Sequence, residues 1–238
     1  MSIETQLLNL WERGYNASTI DRAVLLSSVA NSDHSMDVVL DMPIGLRDGS
    51  LMKFRRALFG SHIASTIPCP SCNTTLELSF DLNPLIDMMN SISSSTFPLE
   101  WQDTTFDIRC PCTRDIIDVS KRARSTRTAA ILERCVAATE SPHVDLLRSS
   151  DLHQVIASAI ESHDPLADIE YSMCCLECSH TFSTSFDIVA FLWCELNAWC
   201  QRLMGEIHIL AKFYGWTEFE ILRLSSWRRQ VYLNMIRQ

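Results

Sequence analysis

Apolar positions recur at helical spacing through most of the chain. Leu7, Leu8 and Trp11 follow Ile3 on one face, so the first sixty residues read as helices. Ser18 opens a second apolar run, and Asp21 three places on completes a start resembling a capping box. Asn31 to Met36 is polar and reads as a loop. Leu46 to Phe59 has helical period again, with Arg47, Lys53, Arg55 and Arg56 assigned to its wet side, and Gly60 stops it.

The period then changes. From Thr74 to Leu82 the residues alternate, with Leu76, Leu78 and Phe80 on one side and Glu77, Ser79 and Asp81 on the other, which predicts a half-buried strand. Pro84 suits the first turn of a short helix through Met89. Ser91 to Thr96 is the best internal linker, and Trp101 to Arg109 reads as one more strand. Thr113 to His163 is helical, broken at Pro142. Ile169 to Met173 and Phe182 to Phe186 read as strands around a cysteine turn. Beyond them Ile188 to Tyr214 predicts one long helix, with Leu192, Leu196, Trp199, Leu203, Ile207 and Leu210 on a single stripe. Gly215 ends it, Thr217 with Glu220 opens a short helix, and Ser226 opens the last, Trp227 to Arg237.

Composition agrees with this helical texture. Only 6 of the 238 residues are glycine, which disfavours a turn-rich β-barrel, and the apolar share of 47% suits a folded chain. The net charge of −9 makes nucleic acid or an anionic membrane a poor default partner. The longest apolar stretch, Ile188 to Cys194, is far short of a membrane span, and Met1 to Glu12 lacks the cationic start of a secretory signal. The expected location is therefore the cytoplasm, where ten cysteines are free thiols or metal ligands.

Two cysteine pairs carry the chemistry. Cys69-Pro70-Ser71-Cys72 and Cys175-Leu176-Glu177-Cys178 both have the spacing of a metal knuckle, in which a tight turn aims two thiolates at one ion. Each pair is followed, eight residues after its second cysteine, by Phe80-Asp81-Leu82 or Phe186-Asp187-Ile188. The same unit of knuckle, strand and helix start therefore occurs twice. Asp81 and Asp187 are natural N-caps for the helices that follow. The two units are expected to pair with pseudo-twofold symmetry around one structural Zn2+ held by Cys69, Cys72, Cys175 and Cys178; buried free thiols are the competing reading. Such a metal would tie distant parts of the chain together and contribute to folding.

The other candidates are weaker. Cys174 is an alternative ligand, but neighbours in a strand point to opposite sides and the repeat favours Cys175. Cys110-Pro111-Cys112 has a one-residue gap and reads as core, with half of a second metal site as the alternative. Cys135, Cys194 and Cys200 fall on helical stripes and read as small core residues. His180 matches Thr74 of the first unit, so the repeat does not require it. His34, His62, His143, His153, His163 and His208 are scattered. There is no phosphate loop or nucleophile elbow, four thiolates leave no open metal position, and both pairs precede strands rather than helices, so an enzyme is not expected and neither is a small-molecule substrate. Lys121, Arg122, Arg124 and Arg127 form the one basic cluster, read as a solvated helix face. Phe213, Tyr214, Trp216, Trp227 and Tyr232 exceed what one small core hides and would leave an apolar patch for a partner.

Several segments together resemble a known family. They are Leu8-Asn9-Leu10-Trp11-Glu12-Arg13-Gly14, Pro43-Ile44-Gly45-Leu46-Arg47-Asp48, the Leu-Phe-Gly at 58–60, the two knuckles, Phe186-Asp187-Ile188-Val189 with Phe191-Leu192-Trp193, and Tyr214-Gly215-Trp216-Thr217-Glu218. The chain is similar to small baseplate and hub-assembly proteins of contractile phage tails and of phage-tail-like contractile injection systems. That resemblance implies a non-enzymatic role in tail or baseplate morphogenesis, as structural component or assembly chaperone, with baseplate, hub or other tail proteins as partners. The extra Cys174, and Cys110-Pro111-Cys112 where a plain strand is expected, depart from the family pattern.

The expected fold is therefore α+β and mainly α-helical, with helices around a small β/zinc-ribbon centre built from two Cys-x-x-Cys–strand repeats. Its segments would be 1–66, helical; 67–112, the first knuckle unit; 113–168, a helical insertion; and 169–238, the second knuckle unit and C-terminal helices, together one composite domain. The alternative function is a zinc-ribbon adaptor acting on nucleic acid or transcription.

Overall fold

The computed structural model describes residues 3–92, 96–137 and 149–236. The fold is mainly helical, with three small antiparallel sheets of two strands each among the described residues. The helices are α1 (Ile3–Gly14), α2 (Thr19–Ala30), α3 (Met36–Asp41), α4 (Ile44–Phe59), α5 (Asn83–Met88), α6 (Thr113–Val119), α7 (Arg124–Cys135), α8 (Ser150–His163), α9 (Ile188–Tyr214), α10 (Glu218–Leu222) and α11 (Ser226–Ile236). The strands are β1 (His62–Pro68), β2 (Thr75–Asp81), β3 (Phe97–Trp101), β4 (Thr104–Ile108), β5 (Glu170–Cys174) and β6 (Thr181–Ser185). The chain divides into two compact units, residues 1–25 with 189–238, and residues 26–188.

In the first unit the long helix behaves as its stripe predicts. Leu192, Leu196, Leu203, Ile207 and Leu210 are buried, with Cys200 and half-buried Trp199 between them, and α1 adds Leu7, Leu8 and Leu10. Each such leucine contributes about 1.5–3 kcal/mol by leaving water. Trp193 lies so close to Gly14 that a Cβ there would sit 2.4 Å from its ring, so α1 must end on glycine. Buried Arg229 pairs with Glu4 at 2.7 Å and Glu206 at 3.1 Å, tying α11 to α1 and α9. Gly215, at φ +71°, ends α9 in the left-handed region, and Thr217 with Glu220 forms the expected capping box. The last helix is capped one residue earlier than expected, because the Ser225 hydroxyl accepts the Arg228 N–H.

The second unit is built around α4. The wet side assigned to this helix is wrong for two arginines. Arg47 is buried against Asp48 and Thr113, and Arg55 is buried while donating to the carbonyls of Gly60 and His62. A guanidinium that satisfies its donors on oxygens can be enclosed, which periodicity alone does not reveal. Pro43 offers α4 no side-chain cap. The buried Asp164 replaces it, accepting the Gly45 N–H at 2.9 Å. A second core joins Phe106 and Ile108 of β4 to Leu132 and Cys135 of α7 and Leu152 and Ile156 of α8.

Four more expectations change. Residues 62–66, expected to be helical, belong to strand β1. The stretch from Trp101 to Arg109 is not one strand: a turn at Gln102 (φ +52°) splits it, and Trp101 ends β3. Met36, placed in a loop, opens α3 on the Ser35 cap. Cys110 and Cys112 lie outside every strand, and Cys112 instead caps α6. Pro142, His143 and much of the Ser91–Thr96 linker lie outside the described residues.

Candidate metal centre

Both knuckles are loops of β-hairpins. β1 pairs antiparallel with β2, and β5 with β6. Aligning Cys69 on Cys175 brings the pair Ala64↔Ser79 onto Glu170↔Ser185, and Pro68↔Thr75 onto Cys174↔Thr181, so register and loop length are the same. The loops close alike. Cys69 N–H donates to Thr74 O at 2.8 Å and Asn73 N–H to Cys69 O at 2.8 Å; Cys175 N–H donates to His180 O at 2.9 Å and Ser179 N–H to Cys175 O at 2.8 Å. Asn73 and Ser179 both take positive φ, 61° and 58°, which an Asn side chain tolerates better than most. This backbone turn lets cysteines three apart point the same way.

The hairpins also meet through equivalent residues. The rings of Phe80 and Phe186 stand edge to face, 5.0 Å apart, and Tyr171 packs on Phe80 at 4.6 Å. Leu82 and Ile188, next in the matched sequences, are buried. Asp81 accepts the Asn83 N–H at 2.8 Å from the end of β2, one residue ahead of Leu82, which takes the expected N-cap place of α5.

These contacts bring the four sulfurs together. Cys69 Sγ lies 3.7 Å from Cys178 Sγ, and Cys72 Sγ lies 3.6 Å from Cys175 Sγ. All four fall within 4.8 Å of one another. A tetrahedron with metal–sulfur bonds of about 2.3 Å has edges of about 3.8 Å, so the set has the size to hold one metal ion. All four are free thiols. Each knuckle supplies one buried sulfur, Cys69 or Cys175, and one exposed sulfur, Cys72 or Cys178.

The two exposed sulfurs sit in different electrostatic surroundings. Hydrogen bonding from the Thr74 hydroxyl, 3.3 Å away, and then from the Thr74 backbone draws the Cys72 thiol down to about 6. At Cys178 the His180 N–H acts to lower the pKa, but desolvation and the sulfurs of Cys72, Cys175 and Cys69 outweigh it, and it rises to about 11.

The remaining cysteines separate cleanly. Cys174 occupies the place of Pro68, is exposed and stays outside the cluster. Cys110 and Cys135 are buried in the second core, where desolvation pushes them up to about 11 and about 12. Cys112 closes a capping box with Asp115, whose carboxylate also receives both Arg109 nitrogens and Arg134 Nε. Burial alone would raise Asp115, but Arg109 first and the Cys112 N–H next hold it far below the usual carboxylate range. Cys200 is buried as expected, whereas Cys194 is exposed on α9 rather than core. No histidine joins the cluster among the described residues. Lys121, Arg122, Arg124 and Arg127 are exposed at the α6–α7 turn, where Arg127 donates to the carbonyls of Ser120 and Arg122.

The sequence missed β1. Its signal was the alternation of Ile63, Ser65 and Ile67 against His62, Ala64 and Thr66, too weakly apolar to stand out beside the helix before it. Among the described residues no helix is long and apolar enough to cross a membrane. Comparison with protein-family models, curated proteins and solved structures returns no match.

Proposed function

We propose that Cys69, Cys72, Cys175 and Cys178 hold one structural zinc ion, and that the protein is a non-enzymatic component or assembly factor of a contractile phage-tail-like machine. The observation that carries the metal assignment is the convergence of four cysteine sulfurs from two hairpins of matching register. An all-thiolate set with tetrahedral dimensions suits zinc, and it fills every coordination position, which supports a structural rather than catalytic metal. When bound, the ion supplies a fixed link between the hairpins; the chain's own part is to aim the sulfurs through the Asn73 and Ser179 turns.

The assembly role rests on the resemblance carried by Leu8–Gly14, Pro43–Asp48, the knuckles and Tyr214–Glu218. In this reading the protein works in the cytoplasm, against baseplate, hub or other tail proteins, and either leaves or stays in the particle. Deleting the gene tests it: electron microscopy should show unassembled or defective tail particles, and intact, active particles would remove the role.

A further inference from the structure

The outer face of the second half of α9 is exposed and leaves open space at Gly205. Gly205 sits in the interior of a 27-residue helix, and a Cβ added there would meet nothing within 4 Å. Glycine inside a helix costs about 1 kcal/mol relative to alanine. Here no chain neighbour needs the space, and φ does not require glycine. Arg202, Gly205, Ile209 and Lys212 follow one another at spacings of three and four on the exposed side, with Met204 and His208 beside them. Met204 and Ile209 are 41% and 39% exposed, and Phe213, one turn beyond Ile209, is 62% exposed. Arg202 and Lys212 make no ion pair among the described residues, while Glu206, the one nearby acid, is taken by Arg229 and Gln230. The face is thus apolar at its middle, notched at Gly205 and positive at both ends, in a chain of net charge −9.

We infer that this face binds an acidic amphipathic helix of another protein, laid across Gly205 with carboxylates toward Arg202 and Lys212. The notch lets the two backbones approach more closely than the usual 8–10 Å between helix axes, and apolar side chains of the partner fill the space beside Met204 and Ile209. Opposite charges at the rim set orientation and encounter rate. A second copy of this chain is a worse occupant. Two such faces offer Arg202 and Lys212 of one copy no free acid on the other, because Glu206 is already taken by Arg229 and Gln230. A bilayer gains nothing from a missing methyl group. The inference depends neither on the metal nor on the role in tails.

The test places the photo-crosslinker p-benzoylphenylalanine at His208 of the full-length protein in its native cells, with the crosslinked peptide sequenced by mass spectrometry. The expected product is a segment of a different protein, net negative, with apolar residues at spacings of three and four. A synthetic peptide of that segment should bind the purified protein, and more weakly as salt rises. Crosslinking yield and peptide affinity should both fall at least tenfold in Gly205→Trp and in the Arg202→Glu/Lys212→Glu double variant. Zinc content and melting temperature should be unchanged in the double variant, which serves alone if Gly205→Trp does not fold. Adducts to lipid, to a second copy or to a neutral or basic segment overturn the inference. So does the absence of any adduct, or a yield indifferent to these substitutions.

Discussion

The second unit holds three two-stranded hairpins in two different ways. The β3–β4 hairpin is held by a core: Phe97, Phe106 and Ile108 are buried against α7 and α8. In β2, β5 and β6, by contrast, residues alternate between exposed and half-buried with none fully buried, and β1 adds only Ile63. An isolated hairpin is marginal in water. The two hairpins with the least apolar burial are the two that carry cysteine knuckles, and the one with a full core carries none. A metal held by the four cysteines, as proposed, would do for the first pair what side-chain packing does for the third.

The largest effect should come from removing the link. Serine at Cys72 or Cys178, or a strong chelator, should release the metal and unfold β1–β2 and β5–β6 together, read as lost hydrogen-exchange protection; structural zinc in small knuckles is worth about 10 kcal/mol or more. Retained protection in both hairpins would equate them with β3–β4 and break the contrast. Phe106→Ala should cost about 3–5 kcal/mol in chemical denaturation, by opening a cavity in the third hairpin's core, yet leave metal stoichiometry unchanged.

Asp115, beside that core, sharpens the contrast through pH. Asp115→Asn should cost about 2–3 kcal/mol at neutral pH, less than a fully buried pair because Arg109 and Arg134 are about one-third exposed. Its folded pKa lies below its unfolded value, so its stabilisation is complete above about 3.9 and fades as pH falls from there toward the folded value. The gap between wild type and variant should stay constant from neutral pH down to about 5 and narrow below about 4. The thiolates compete with protons already at higher pH, so on acidification the metal should leave before Asp115 fades. The smallest effect belongs to Cys174→Ser, which should alter stability by no more than about 0.5 kcal/mol and metal content not at all.

Much of this was legible before any coordinates. The matched runs from Cys72 to Leu82 and from Cys178 to Ile188 singled out the four cysteines that the structure brings together, because knuckle spacing is a local property of the turn. The long helix, its Gly215 stop and the Thr217–Glu220 cap were equally plain, since caps and periodicity are also local. What stayed hidden depends on partners distant in sequence. β1 is a strand because β2 pairs with it, not because Ala64 and Ser65 favour one. The turn at Gln102 and Asp103 has no glycine or asparagine to mark it, so two short strands read as one. Arg47 and Arg55 looked wet because Thr113 and the carbonyls of Gly60 and His62, which accept from them, lie off the helix. Asp164, which caps α4 from over a hundred residues away, gave no sign in the sequence.

Elemental analysis of the protein, purified under reducing conditions without added metal and paired with native mass spectrometry, tests the shared-ion claim most directly. It should give one zinc per chain in the wild type and none in Cys72→Ser. Folded wild-type protein that carries no metal, with β1–β2 and β5–β6 still protected, would contradict it.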